Sequence, residues 1–246
     1  MRKGKATKLE ETTLVLNRKA TALFLGSVLA VATTSAFAFN NAAEDEYRKG
    51  SDFARKGKDR EALQALDKSI TLNPNYAPAY LERARVLNRC SRAKEALESC
   101  NKCLTINPEY GAAYSIRSWA HVALKEYSAA IEDANKAMAL ASSPGTYVSR
   151  ANAYLGLGQL KQALADCNKA VALKRHPEAF HTRARIWIAL GEYKNAVNDC
   201  TSAIDMYSQA PLYYKTRAFA YTKMGDTSSA SKDREKYKSL EKVENN

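Results

Sequence analysis

Three histidines and five cysteines are the residues of this 246-residue chain that could do metal or thiol chemistry. His121, His176 and His181 are scattered, and no H-E-x-x-H stands among them, so a zinc centre is not expected. Cys100-Asn-Lys-Cys103 has the spacing of a redox dithiol. Its surroundings read as the interior of a helix, however, and a reactive pair belongs at a helix N-terminus after a strand. Cys100, Cys167 and Cys200 instead read as small apolar packing residues, with Cys90, in a turn region, as the most exposed thiol. Gly156-Leu-Gly158 lacks the preceding strand of a dinucleotide fingerprint, and neither a P-loop nor a G-x-S-x-G is present. The sequence therefore predicts no catalytic residue, no cofactor and no metal ion: it does not read as an enzyme.

Charge is arranged more regularly. Lys49, Arg83, Arg117, Arg150, Arg183 and Arg217 form one column, and Asp133, Asp166, Asp199 and Asp233 form another with matching spacing. A basic residue in every unit beside small residues could be a stripe for anions. The matching acidic column favours an interior ladder of ion pairs between helices.

These columns presuppose a repeating frame, and other residues supply it. Ala62, Ala96, Ala130, Ala163, Ala196 and Ala230 keep the same interval, as do Gly50, Ala84, Ser118, Ala151, Ala184 and Ala218. Small residues in both helices of a unit let two helix axes come close. Tyr80, Tyr114, Tyr147, Phe180 and Tyr214 fill the space between, and Leu87, Tyr154, Trp187 and Tyr221 lie two turns further along the same face. Pro74, Pro78, Pro108, Pro144, Pro177 and Pro211 punctuate the chain between pairs of helices. Gly57, Gly158, Gly191 and Gly225 fall midway, where a helix ends with positive φ. Low Gly and Pro content excludes collagenous and low-complexity chains.

A period near 34 of helix-turn-helix units resembles the tetratricopeptide repeat family. Leu155-Gly-Leu-Gly-Gln-Leu-Lys-Gln-Ala163 and Leu190-Gly-Glu-Tyr-Lys-Asn-Ala196 are close to its central stretch. The departures are Glu46 and His121 in place of aromatics, and Ser91 and Lys125 in place of the mid-turn glycine. The resemblance implies an all-α, right-handed α-solenoid of six tandem repeats. They cover about residues 43–76, 77–110, 111–143, 144–176, 177–210 and 211–244, with a polar last helix as cap. It also implies that first helices line a concave groove. Mapped onto this chain, that groove holds Tyr47, Arg85, Asn88, Arg89, Trp119, Asn152, His181, Arg185, Lys215 and Phe219. Basic and aromatic side chains together suit a protein or peptide segment with acidic and apolar residues, as on an assembly scaffold. The Lys/Asn set with which some members clamp a peptide C-terminus is missing at the corresponding positions.

The start of the chain reads as an address. Residues 1–19 hold six basic and two acidic residues, an uncharged run follows from Ala20, and Ala36-Phe37-Ala38 offers an A-x-A cleavage site. The segment 1–38 is thus a secretory signal peptide or an uncleaved N-terminal membrane anchor, with 39–42 as a short linker. Either way the remainder is exported, to a periplasm, cell envelope or extracellular space, with membrane attachment only if cleavage fails. Loss of 1–38 lowers the formal net charge from +12 by four, to +8. An electrostatic binder of an anionic polymer (nucleic acid or envelope polysaccharide) is therefore the alternative function. Export argues against an intracellular nucleic acid, and none is expected as partner.

Overall fold

The computed structural model describes residues 40–244, so the expected signal segment lies outside the described residues. These residues form twelve helices and no strand. No described helix is long and apolar enough to cross a membrane. The chain divides into two compact units at Ala79/Tyr80.

In the first unit α1 (residues 40–55) and α2 (Asp59–Leu72) make one hairpin around Gly57, whose φ is +71°. Ala43, Ala54, Ala62 and Leu66 are its buried face. Ser69 Oγ donates to the Ala43 carbonyl at 2.7 Å, and Glu46 accepts from Lys49 at 2.8 Å and Lys68 at 2.9 Å.

The second unit holds α3 (Ala77–Arg89) from Tyr80 on, α4 (Ala93–Ile106), α5 (Gly111–Ala123), α6 (Tyr127–Leu140), α7 (Pro144–Gly156), α8 (Leu160–Leu173), α9 (Pro177–Ala189), α10 (Tyr193–Met206), α11 (Pro211–Lys223) and α12 (Thr227–Glu244). Each of α5, α7 and α9 packs on the even helix after it, on the even helix before it, and on the next odd helix, and α11 packs on α12, α10 and α9. This is the tandem hairpin order of an α-solenoid. Both small columns are buried throughout, which is what allows the close approach. Ser118, the one polar member of its column, satisfies its hydroxyl on the Ala130 carbonyl at 2.8 Å.

Proline and glycine do the punctuation. Pro144, Pro177 and Pro211 each occupy a first helical turn. Ser143 caps α7 by accepting from the Thr146 N–H, and His176 Nδ1 caps α9 by accepting from the Glu178 N–H. Gly158, Gly191 and Gly225 have φ of +71°, +81° and +83°. Ser91 and Lys125 take the same left-handed conformation at +60° and +63° without being glycine. A Cβ is unfavourable there, so Ser91→Gly and Lys125→Gly should each raise stability by about 0.5–1 kcal/mol in chemical denaturation.

Candidate functional site

The two charge columns meet as an ion-pair ladder. Arg117, Arg150, Arg183 and Arg217, on the first helices of successive hairpins, each hold the aspartate of their second helix with two parallel bonds of 2.7–2.9 Å. A third nitrogen reaches back to the preceding hairpin, donating to Asn101, Asn135, Asn168 and Thr201 respectively. Asp133, Asp166, Asp199 and Asp233 are buried. The hydrogen bonds to these carboxylates hold the arginine pKa values above their ordinary value. In the α3/α4 hairpin Ser99 stands at the aspartate position and accepts from Arg83 at 2.7 Å. His121, at an aromatic position, packs as expected but is also polar-paired: its ring nitrogens face Glu126 at 2.6 Å and Asp133 at 3.5 Å. The ladder is therefore structural, and its cations are not available to a ligand.

The thiols are structural too. Cys100, Cys103, Cys167 and Cys200 are buried, and all five cysteines are unbridged. Burial pushes their pKa from about 9 up to about 12, 11, 12 and 12. An acid whose folded pKa is raised favours the fold below its unfolded value and opposes it above, so these thiols cost stability as pH climbs from about 9 toward 12. At about pH 8, a maleimide should label the half-buried Cys90 and spare the other four until the chain unfolds. No group of three or more His, Cys, Asp or Glu residues among those described could hold a metal ion.

What remains is the inner face of α3, α5, α7, α9 and α11. A cavity of about 570 Å³ opens between α7, α9 and α11. Its apolar walls are Leu155, Ile188, Leu212 and Phe219, and its polar ones His181, Arg185, Lys215 and Thr216. A second, of about 500 Å³, lies between α3, α5, α7 and the start of α9, bounded by Arg85, Trp119, Pro144, Gly145, Val148, Lys174, His176 and Glu178. A third, of about 320 Å³, shares Arg85 and Trp119 with the second and adds Asn88, Arg89, Ile116 and Ala123.

Eight of the ten residues expected in the groove line these cavities. Tyr47 belongs to the first unit, where its ring stands edge-on to Tyr76 with centroids 5.4 Å apart. Asn152 is buried, and its amide is committed: Nδ2 donates to the Val148 carbonyl and to Thr182 Oγ1, and Oδ1 accepts from Arg185 Nη1 at 2.7 Å. It therefore positions Arg185, and both its N–H donors are spent within the protein. His181 is buried as well, its Nε2 2.9 Å from Thr216 Oγ1 and its ring 4.9 Å from Tyr213. Burial, with Arg185 close by, lowers its pKa to about 4. These bonds continue a seam between consecutive first helices, with Ser115–Thr146 and Ser118–Ser149 in the same role.

Arg185 and Lys215 differ from the ladder arginines. Neither makes an ion pair with any described carboxylate, and Lys215 lies over the Tyr237 ring at 5.3 Å. Asn88 fixes its Nδ2 on the Ile116 carbonyl, leaving a buried Oδ1 without a partner. Glu178 is the residue sequence reasoning missed. It follows Pro177 in a first helical turn, where an acidic residue is expected for the helix dipole alone, so nothing marked it. Burial raises its pKa, opposed by His176 and Arg185, and it in turn raises that of Tyr213, whose burial already does so.

Tandem helical hairpins with a buried ladder and an inner face of cavities define an α-helical repeat protein. Residues 47–111 and 144–177 each match a family model described as tetratricopeptide repeat. Three solved structures resemble the chain. One is a tetratricopeptide repeat protein of Thermus thermophilus, with 21% identity and a TM-score of 0.66, over 74% of this chain and 100% of that one. Another is PilF of Pseudomonas aeruginosa, with 18% identity and 0.63, over 82% and 93%. The third is a tetratricopeptide repeat protein of Parabacteroides merdae, with 20% and 0.58, over 81% and 80%. No curated protein matches the chain in sequence. The fold is that of a tetratricopeptide repeat protein.

Proposed function

We propose that the chain is a non-enzymatic, exported scaffold that holds an acidic and apolar segment of a partner protein along the inner face of α3 to α11. One observation carries this reading. The ladder matches Arg117, Arg150, Arg183 and Arg217 each with an aspartate, whereas Arg185 and Lys215 flank an apolar cavity and make no ion pair with a described carboxylate. A cation left unmatched beside apolar walls favours an anion attached to an apolar group. Arg185 is held ready by Asn152, so little ordering is needed on binding. Fixed, exposed aromatic surface at Phe219 and partly exposed surface at Trp119 adds area for apolar side chains.

Arrays of short peptides probed with the full chain test it. Segments mixing Asp or Glu with apolar residues should be retained, and an R85E/R185E variant should lose at least about tenfold in affinity for them while melting like the wild type. Equal retention by both proteins defeats the groove. Retention of any polyanion regardless of sequence, with affinity falling steeply in salt, favours the electrostatic alternative. Export is checked separately, by whether the mature chain isolated from an expressing cell begins at residue 39.

A further inference from the structure

The cavity between α3, α5, α7 and α9 has an unusual balance of charge. Its apolar lining is Trp119, Pro144 and Val148. Arg85 and Lys174 also line it; Arg85 is paired with Glu82 at 3.4 Å, and Lys174 makes no ion pair among the described residues. Among the described residues Glu178 is the only carboxylate that lines it.

Glu178 is short of donors. A ladder aspartate receives at least two short bonds from its arginine, and Asp199 a third from Trp187 Nε1 at 3.0 Å. Glu178 receives a single long one, from the Tyr213 hydroxyl at 3.5 Å, and no cation lies within ion-pair reach. A carboxylate has room for about four donors, so most of the accepting capacity of this half-buried group is left for solvent or a ligand. A ligand that brings a donor here relieves that deficit.

The cavity also specifies the donor. An ammonium would share the cavity with Arg85 and Lys174 and with an apolar lining, both unfavourable. A neutral donor suits it better. A serine or threonine hydroxyl brings little apolar surface for Trp119 and Val148. A phenol brings both: a ring face for the apolar lining and an O–H at its end. Resting on the peptide-binding reading above, we propose that this cavity selects a tyrosine in the bound segment, its ring against Trp119 and Val148 and its hydroxyl donating to Glu178. Acidic neighbours of that tyrosine would meet Arg85 and Lys174, so Glu178 becomes the residue that determines specificity within an otherwise basic groove.

The test uses the full chain and defined probes: N-acetyl-tyrosinamide, N-acetyl-phenylalaninamide and N-acetyl-lysinamide, followed by the Trp119 indole resonance, and then acidic peptides differing only as Tyr, Phe or Lys at one position. The tyrosine probe should bind at least about fivefold more tightly than the phenylalanine probe, in both formats. Glu178→Leu should erase that preference while leaving phenylalanine binding unchanged. The isosteric Glu178→Gln should keep part of it and guards against misfolding of the leucine variant. Equal binding of tyrosine and phenylalanine, a preference for lysine, or no shift with any amide overturns the assignment. Acidic peptides that bind without a tyrosine preference overturn it alone. Tyrosinamide binding without any peptide binding overturns the groove reading, and with it the assignment to a partner segment.

Discussion

Arg150→Ala and Arg183→Ala each lower stability by about 3 kcal/mol, the low end for breaking a buried pair because each arginine side chain keeps some solvent contact. Most of that cost falls on the aspartate. Asp166 and Asp199 are buried and take both of their strong bonds from the arginine, so truncation leaves a carboxylate in a dry site without its partner. The guanidinium of Arg150 also lies 5.9 Å from the Tyr147 ring and 5.8 Å from the Tyr154 ring, packing that alanine cannot replace. Its third arm to Asn135 is lost too, loosening one hairpin from the one before. Three comparisons separate this account from loss of bulk. Arg83→Ala, opposite Ser99, should cost less, about 1 kcal/mol, since at the ladder position it leaves a hydroxyl and not a buried carboxylate. The double replacement R150M/D166L should recover most of the loss, because the strandable charge is gone. Peptide affinity at Arg185 should be unchanged in folded Arg150→Ala. Urea unfolding of the four variants reads the stabilities, and a peptide titration of folded Arg150→Ala reads the affinity; an Arg150→Ala midpoint equal to that of wild type contradicts the ladder as a structural element.

Much of this was legible in the sequence, for a simple reason. A repeat writes each structural requirement several times, so Arg150 and Asp166 could be matched through their copies without coordinates. The same redundancy located Ser91 and Lys125 as stand-ins for glycine, and both adopt positive φ. The inner face was less legible. A first helix touches its own second helix, the preceding hairpin and the next first helix, so one row of positions can look outward or sideways. Asn152 and His181 were placed in the groove as ligand residues, yet both turn their polar atoms to the neighbouring first helix, onto Thr182 and Thr216. Their spacing gives the face of the helix and not the distance to the next one. Glu178 escaped for another reason: its identity suited a helix N-terminus, and only the cavity beside it shows that it lacks donors. Tyr47 kept its place in the repeat, but its ring is engaged with Tyr76 within the first unit.

Acid should weaken the fold through His181. A base whose folded pKa lies below its unfolded value binds its proton more readily when unfolded, so the stability it permits is complete above the unfolded pKa and drains away as pH falls. The window here runs from 6.5 down to about 4. The displacement corresponds to about 3 kcal/mol between neutral pH and the foot of that window. The cause is the site: the imidazole is buried under Tyr213, its Nε2 is engaged by Thr216, and Arg185 on the same helix disfavours a second positive charge. Lys215 lines the same cavity from α11. Glu178 works in the opposite sense, since burial raises its pKa and its protonation favours the folded form in acid, so whole-protein titration mixes the two. His181→Gln isolates the histidine, because glutamine can still hydrogen-bond Thr216 but does not titrate. Wild type should exceed this variant in stability most at about pH 7.5 and lose about 3 kcal/mol of that lead by about pH 4. An imidazole signal for His181 titrating near 6.5 in the folded chain, or a lead that stays constant with pH, contradicts the burial argument.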